Sequence, residues 1–189
     1  MIVVVRILVA IILVVSAYGA DAQSLPPGMT MHRLQAGELD SSGWTTASST
    51  EGGFCVRLPM KFNDFSMAAR DGSAAKAFTV GGKDPQGVKF SATRISYHRS
   101  GAAAKIVADL ENGEGFASRA RSLERLSFRG YRTVDLSVSD GRSVLHQRAI
   151  LVEPDLVTLI VEAPAPHATR VSSLIPVFFN SLVVSKECR

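Results

Sequence analysis

The sequence predicts an α+β fold in which one antiparallel sheet carries a central helix and a C-terminal helix. Short segments in which apolar and polar residues alternate recur on both sides of residues 102–111, which have helical spacing instead. A second helical pattern follows the last of these segments near the C-terminus. Tight turns between neighbouring segments indicate antiparallel pairing, because a two-residue turn joins only antiparallel strands.

Residues 1–22 have the layout of a secretory signal peptide. Arg6 precedes an apolar run, and the segment ends in Ala20-Asp21-Ala22, which resembles the A-x-A pattern before a cleavage site. The alternative is an uncleaved anchor, because residues 2–5 extend the apolar stretch towards the roughly 20 residues of a spanning helix. Cleavage predicts a periplasmic or secreted bacterial protein, and only an uncleaved segment would attach it to a membrane.

The rest of the chain is predicted to be a flexible lead-in over residues 23–43 and one domain over residues 44–189. The lead-in contains Pro26-Pro27-Gly28 and no sustained period. The remaining length is sufficient for one domain with a sizeable core. The formal net charge of +4 favours solubility and weak attraction to anionic surfaces, and it does not indicate a nucleic-acid partner.

Strands are predicted on both sides of the central helix. Residues 44–48 and 54–58 alternate as a strand pair, and residues 77–80 and 88–97 flank the turn-rich sequence GGKDPQG. After the helix, segments 130–138, 142–152 and 156–162 form a meander whose first turn is Asp140-Gly141.

Each predicted helix has one apolar face. The central one carries Ala103, Ile106, Val107 and Leu110, and Asn112-Gly113 is a plausible end, after which residues 114–122 are expected to resume the helix. The C-terminal stripe consists of Val171, Leu174, Ile175, Phe178 and Leu182. Pro176 lies inside this stripe and is expected to bend the helix or shift its start.

These features resemble the Mog/PsbP-like α/β sandwich. The resemblance covers residues 44–183 and rests on GGFCVRLP after the Trp44 strand, Gly130-Tyr131, the Asp-Gly hairpin and a terminal helix with FFNS at residues 178–181. That class includes the photosystem II extrinsic subunit, a nuclear-transport cofactor and many exported proteins of no known activity. The resemblance implies a binding or accessory module rather than an enzyme, and no ligand residue of the class maps onto this chain.

The two cysteines, Cys55 and Cys188, allow several interpretations. In an exported protein they favour a disulfide, whereas a zinc site of the usual kind needs four clustered ligands. Alternation places Cys55 and Arg57 on one face of their strand, and Arg57 would stabilise a thiolate, so a reactive thiol stays open. Neither cysteine belongs to a C-x-x-C pair.

One row of polar residues in the predicted meander is the candidate metal or catalytic site. A two-residue loop at Asp140-Gly141 would place Asp135 opposite His146, and a three-residue loop over 153–155 would place Glu162 opposite His146. The row could bind a divalent metal or orient the imidazole as a base. The alternative is a cross-strand electrostatic row worth roughly 0.2–1 kcal/mol per pair. A further ligand and a nucleophile are both missing, and there is no G-x-S-x-G motif, so we assign no cofactor and no catalytic residue.

A basic run, RARSLERLSFRGYR, is the best candidate for a partner site. It contains Arg119, Arg121, Arg125, Arg129 and Arg132. Such a run can dock an anionic protein or envelope component. The alternative is a solvated helix face and strand edge whose arginines discourage edge-to-edge pairing.

Three functional hypotheses follow from the sequence. The first is an exported, non-enzymatic accessory or binding module that acts through a sheet face or the arginine-rich edge. The second is a small metal-dependent enzyme or hydrolase centred on His146. The third is a purely structural or stress-related envelope protein.

Overall fold

The computed structural model describes residues 25–69, 75–185 and 188. The predicted signal peptide over residues 1–22 lies outside them. Within the described part of the chain, no helix is long and apolar enough to cross a membrane.

Two antiparallel sheets form the fold. The strands are β1 (Met29–Ala36), β2 (Thr45–Ser48), β3 (Phe54–Leu58), β4 (Phe62–Ala68), β5 (Lys76–Lys83), β6 (Lys89–Ser96), β7 (Ser122–Phe128), β8 (Tyr131–Ser139), β9 (Ser143–Val152), β10 (Asp155–Pro164) and β11 (Val183–Val184). Eight of them form the large sheet in the order β1-β4-β5-β6-β10-β9-β8-β7, and β11-β3-β2 form the small sheet. The edge strands of the large sheet are therefore β1 and β7.

Helices cover both faces of the large sheet. They are α1 (Ala102–Glu111), α2 (Ala168–Val171) and α3 (Leu174–Asn180), with 3-10 turns at Gly115–Arg119 and Ala165–His167. The buried residues of α1 are the four that its apolar period predicted. The helix ends at Glu111 and is followed by Asn112 and Gly113. Gly113 has a φ of 70°, which is accessible to glycine at little cost, and its N–H donates to the carbonyl of Leu110 at 3.0 Å.

The large sheet has a hydrophobic core on each face. On one face, the small sheet and the C-terminal helices cover Phe90 and Leu159, and the ring of Phe178 meets that of Phe90 edge-on at 5.4 Å. On the other face, α1 packs Val107 against a cluster that includes Leu156. The prediction of an α+β fold with an antiparallel sheet, a central helix and a C-terminal helix is confirmed.

The predicted flexible lead-in over residues 23–43 is corrected by the structure, and with it the start of the domain at residue 44. Residues 29–36 form β1, which pairs with β4, a strand that the sequence analysis also missed. The strand pattern of β4 is disguised because the charged residue Asp64 occupies a fully buried position. Arg33 of β1 donates to this carboxylate, so the two missed strands form together around one ion pair.

Two helical predictions also change. Residues 114–122 do not resume α1, because Glu114 is extended and Gly115 has a φ of 60°, and a 3-10 turn then leads into β7. The C-terminal stripe is divided into α2 and α3. Pro176 is the third residue of α3, where a missing N–H removes no helical hydrogen bond. The proline therefore lies in the first turn of a helix and not inside one, where we expected it to bend the helix.

Candidate functional site

The β8–β9 turn lies one residue further along the chain than the Asp-Gly signal predicts. Asp140 Oδ1 accepts the backbone N–H groups of Arg142 at 2.9 Å and Ser143 at 2.8 Å. Asp140 therefore precedes the turn instead of lying inside it, and Gly141 takes the left-handed position with φ 87°. Hydrogen bonding of the Asp140 side chain to the backbone changes the register of the whole hairpin.

The predicted row of Asp135, His146 and Glu162 is not formed. Asp135 lies opposite Arg148, and His146 lies opposite Ser137. The part of the chain that the structure describes contains no group of three histidine, cysteine or acidic residues able to hold a metal ion. The metal-site prediction is therefore wrong in its geometry.

The β9–β10 connection contributes to this correction. It has two residues, 153–154, instead of three, so His146 lies opposite Val161. Glu162 instead lies opposite Lys89 of β6, and the two form an ion pair with Nζ 3.0 Å from Oε1. Partial burial lowers the pKa of His146, which favours a neutral ring.

Arg148 joins the sheet to the C-terminal helix. Its Nε and Nη2 each donate to the carboxylate of Asp135 at 2.8 Å, and Nη1 donates to Asn180 Oδ1 at 3.2 Å. The guanidinium also lies 5.1 Å from the ring centroid of Phe128 and 4.9 Å from that of Phe179. Through these contacts, Arg148 joins β9 to β8 and to α3.

The five residues of the predicted basic run lie at the β7 edge of the large sheet, and we call them the arginine edge (Arg119, Arg121, Arg125, Arg129 and Arg132). All five are exposed. Three of them contact other elements, and the contacts hold the β7–β8 hairpin against α1 and α3.

Glu111 at the end of α1 fixes two of these arginines. Arg132 Nε donates to Glu111 Oε1 at 2.7 Å and Nη2 to Oε2, while Arg125 donates to the backbone carbonyl of Glu111. The Arg132 guanidinium lowers the pKa of Glu111, so this carboxylate stays ionised. The two guanidinium groups are thus placed side by side on the surface.

The other three arginines differ in their contacts. Arg129, in the β7–β8 turn, donates to the carbonyl of Asn180 at 3.2 Å and lies 5.2 Å from the ring centroid of Phe128. Arg119 and Arg121 form no side-chain hydrogen bond or ion pair with the residues described. These two charges are available to a partner without disturbing the fold.

A second site, which the sequence analysis missed, is a cavity of about 810 Å³. It lies between the small sheet and the half of the large sheet that is remote from β7. We call it the polar groove. Its walls come from β1, the β2–β3 turn, β5 and β6, with the C-terminal segment at one end. The lining residues are Arg33, Ser48, Ser49, Thr50, Glu51, Gly52, Gly53, Phe78, Arg94, Ser96, Ser185 and Cys188.

Asp64 holds one arginine and the β2–β3 turn in place beneath the groove. This fully buried carboxylate accepts Arg33 Nε at 3.1 Å and Nη2 at 2.9 Å. It also accepts the backbone N–H of Thr50 at 2.9 Å and the Thr50 hydroxyl at 2.5 Å. Such a saturated carboxylate fixes the guanidinium of Arg33 at the groove wall.

Arg94 has a matching arrangement on the other wall. Its Nε donates to Asp155 Oδ2 at 2.7 Å, and its Nη1 donates to the carbonyl of Gly52 at 3.0 Å. The turn is close-packed here, because a Cβ on Gly52 would lie 2.6 Å from the Phe54 ring and 2.8 Å from Cβ of Phe78. The β2–β3 turn therefore has no room for a side chain at residue 52. Asp64, a charged residue between Phe62 and Phe65, was the sequence signal that could have revealed the groove.

The predicted pairing of Cys55 with Cys188 is confirmed as a disulfide. Their Cα atoms are 5.6 Å apart, and the bond joins residues separated by 133 positions. Beside it, Val183 of β11 pairs with Cys55 of β3. Phe54, Val56 and Leu58 are buried as expected, and Cys55 lies on the opposite face of β3.

Comparison with known proteins gives structural neighbours only. No protein-family model matches the chain, and no curated protein matches it. The solution structure of cyanobacterial PsbP (CyanoP) from Synechocystis sp. PCC 6803 is similar with a TM-score of 0.49 and 16% identity, covering 79% of this chain and 96% of that chain. LpqN of Mycobacterium tuberculosis, described as involved in cell envelope biogenesis, is similar with a TM-score of 0.38 and 11% identity, covering 85% of this chain and 86% of that chain. The first of these structures is described as a cyanobacterial PsbP, and the sequence analysis noted a resemblance to PsbP-like proteins.

Proposed function

We propose that the chain is an exported, non-enzymatic accessory or binding module that docks on an anionic protein or cell-envelope component through the arginine edge. The observation that carries the proposal is the hydrogen bonding of its guanidinium groups. Arg125 and Arg132 both donate to Glu111, while the side chains of Arg119 and Arg121 have no hydrogen-bond or ion-pair partner among the described residues. Fixed guanidinium groups bind carboxylates and phosphates with little loss of side-chain entropy.

Two further features support this proposal. The disulfide between Cys55 and Cys188 is typical of proteins that mature in an oxidising compartment, which fits a periplasmic or secreted location. Strand β7 is an edge of the large sheet, so a partner can approach its backbone as well as its side chains.

The test is a charge reversal confined to the two unpartnered arginines. The double variant Arg119→Glu/Arg121→Glu breaks none of the contacts described above, so it should fold like the wild type. Arg142→Glu is the matched control, because Arg142 is exposed at the β8–β9 turn outside the arginine edge. Each protein is used to capture components of the native envelope fraction, which are quantified by mass spectrometry.

We expect a component that the wild type and the Arg142→Glu control retain and that the double variant loses. Its capture should weaken as salt is raised, because screening is strong once the Debye length falls to about 10 Å or less. Vesicles of anionic and of zwitterionic lipid, assayed by co-sedimentation, separate a lipid surface from a protein partner. Identical capture by all three proteins would remove the arginine edge as the docking site.

A further inference from the structure

The polar groove is independent of the arginine edge. Its walls belong to β1, β5 and β6, whereas the arginine edge lies at β7, at the far end of the strand order. Its volume of about 810 Å³ falls within the roughly 300–1,000 Å³ of small-molecule sites. The groove therefore has the size of a ligand site of its own.

The two groove arginines retain unused hydrogen-bond donors. A guanidinium has about five N–H donors. Arg33 uses Nε and Nη2 for Asp64 and the carbonyl of Ser48, which leaves the N–H groups of Nη1. Arg94 uses Nε, Nη2 and one N–H of Nη1 for Asp155 and Gly52. Both residues line the groove, and each retains N–H groups that bond to no other described residue.

Among the described residues around the groove, the charges cancel. Each cation has an anion beside it, in the pairs Arg33–Asp64, Arg94–Asp155 and Lys76–Glu51. The pKa of Glu51 is lowered chiefly by the hydrogen bond from Lys76, so this carboxylate stays ionised. A charged ligand would bring an uncompensated charge into a partly enclosed cavity, which is unfavourable. Charge balance therefore favours a neutral ligand.

The remaining lining is rich in hydroxyl groups. Ser48, Ser49, Thr50 and Ser96 line the groove beside the backbone of Gly52 and Gly53, and Phe78 is its aromatic residue. The hydroxyl groups of Ser49 and Thr50 donate to Asp64, which leaves their oxygens as acceptors. Those of Ser48 and Ser96 can still donate, so the lining offers both donors and acceptors to a ligand that carries many hydroxyl groups. An apolar ligand would leave the free guanidinium N–H groups without a partner, at a cost of roughly 1–3 kcal/mol for each buried group. We propose that the polar groove binds a neutral saccharide.

The test uses a variant that fills the groove and replaces none of the residues of its ion pairs. Ser96→Trp places a large side chain in the cavity, and Ser127→Trp is the matched control on exposed β7. The probes are the neutral trisaccharides cellotriose, maltotriose and triacetylchitotriose, together with the acidic trigalacturonate. Binding is followed by calorimetry and by the NMR amide signals of Gly52 and Gly53, and thermal melts establish that each variant is folded.

We expect at least one neutral trisaccharide to bind the wild type with a Kd of about 1 mM or lower and to shift both glycine signals. Ser96→Trp should weaken this binding by about tenfold or more, and Ser127→Trp should leave it unchanged. If Ser96→Trp is poorly folded, Arg33→Lys replaces it, since this variant keeps the charge beside Asp64 and loses the planar donor set.

Three results would overturn the proposal: no neutral trisaccharide bound at about 10 mM, binding of trigalacturonate alone, or unchanged binding by the folded groove variant. The variant Arg119→Glu/Arg121→Glu is measured in parallel and should bind the saccharide like the wild type. Loss of envelope capture and loss of saccharide binding are thereby separate results.

Discussion

Removal of the disulfide should lower the free energy of unfolding by about 5 kcal/mol. The variant Cys55→Ser/Cys188→Ser opens a loop of 133 residues. In the chain-entropy model the closed loop lowers the entropy of the unfolded chain by roughly 2.1 + 1.5R ln n cal/mol/K, which for this loop is about 17 cal/mol/K, or about 5 kcal/mol at 25 °C. This value is of the order of the whole stability of a typical domain.

Urea unfolding monitored by Trp44 fluorescence and by circular dichroism measures the effect. The dependence of the free energy on urea should also steepen, because the open unfolded chain exposes more surface. In thermal unfolding, the same loss should lower Tm by roughly 10–20 °C for a domain of this size. Wild-type protein in reductant is the control, and it should unfold like the double variant.

Coincident urea midpoints for the wild type and the double variant would refute this reasoning. That result would mean that the two cysteines are already close together in the unfolded chain, or that the bond does not form in the protein. Mass analysis with and without reductant separates the two explanations. Free thiols at both positions would exclude the bond itself.

Three further changes test the contacts described above. Asp64→Ala should cost about 3–5 kcal/mol in urea unfolding, because it leaves the donors of the β2–β3 turn and a guanidinium without their acceptor. Arg148→Leu should cost a similar amount, and Arg148→Leu/Asp135→Leu should recover most of it, which a double-mutant cycle measures. Asp40 should titrate near its lowered pKa of about 2 in NMR, chiefly because the Ser42 hydroxyl and the Trp44 amide donate to it. Its contribution to stability is therefore complete above pH 3.8 and is lost as the pH falls through about 2; a midpoint at 3.8 would show that these hydrogen bonds are absent in solution.

Local signals predicted the parts of the fold in which the apolar period is undisturbed. The four buried residues of α1 and the alternation of β3 follow directly from side-chain spacing, and Asn112-Gly113 marks the end of the helix. The pairing of Cys55 with Cys188 followed from their number and the expected compartment. In these cases the local preference and the tertiary environment agree.

The missed features have a common cause, namely polar side chains that act on the backbone or on distant charges. Asp64 interrupts the apolar pattern of β4 because it binds Arg33 and the turn at Thr50, neither of which is close in sequence. Asp140 moved the β8–β9 turn by one residue, and that shift separated Asp135 from His146. The polar groove draws its lining from five separate segments, so only the tertiary structure brings them together.

The small sheet sets the order in which the protein can be completed. Its middle strand, β3, is made early in synthesis, whereas β11 pairs with it only after residue 184 has left the ribosome, and the disulfide needs residue 188. Until then one side of β3 is an open strand edge, which is a place for wrong pairing. Because this contact spans most of the chain, it should form more slowly than the individual hairpins. Closure of the small sheet therefore requires the chain as far as β11, and the bond that secures it requires Cys188.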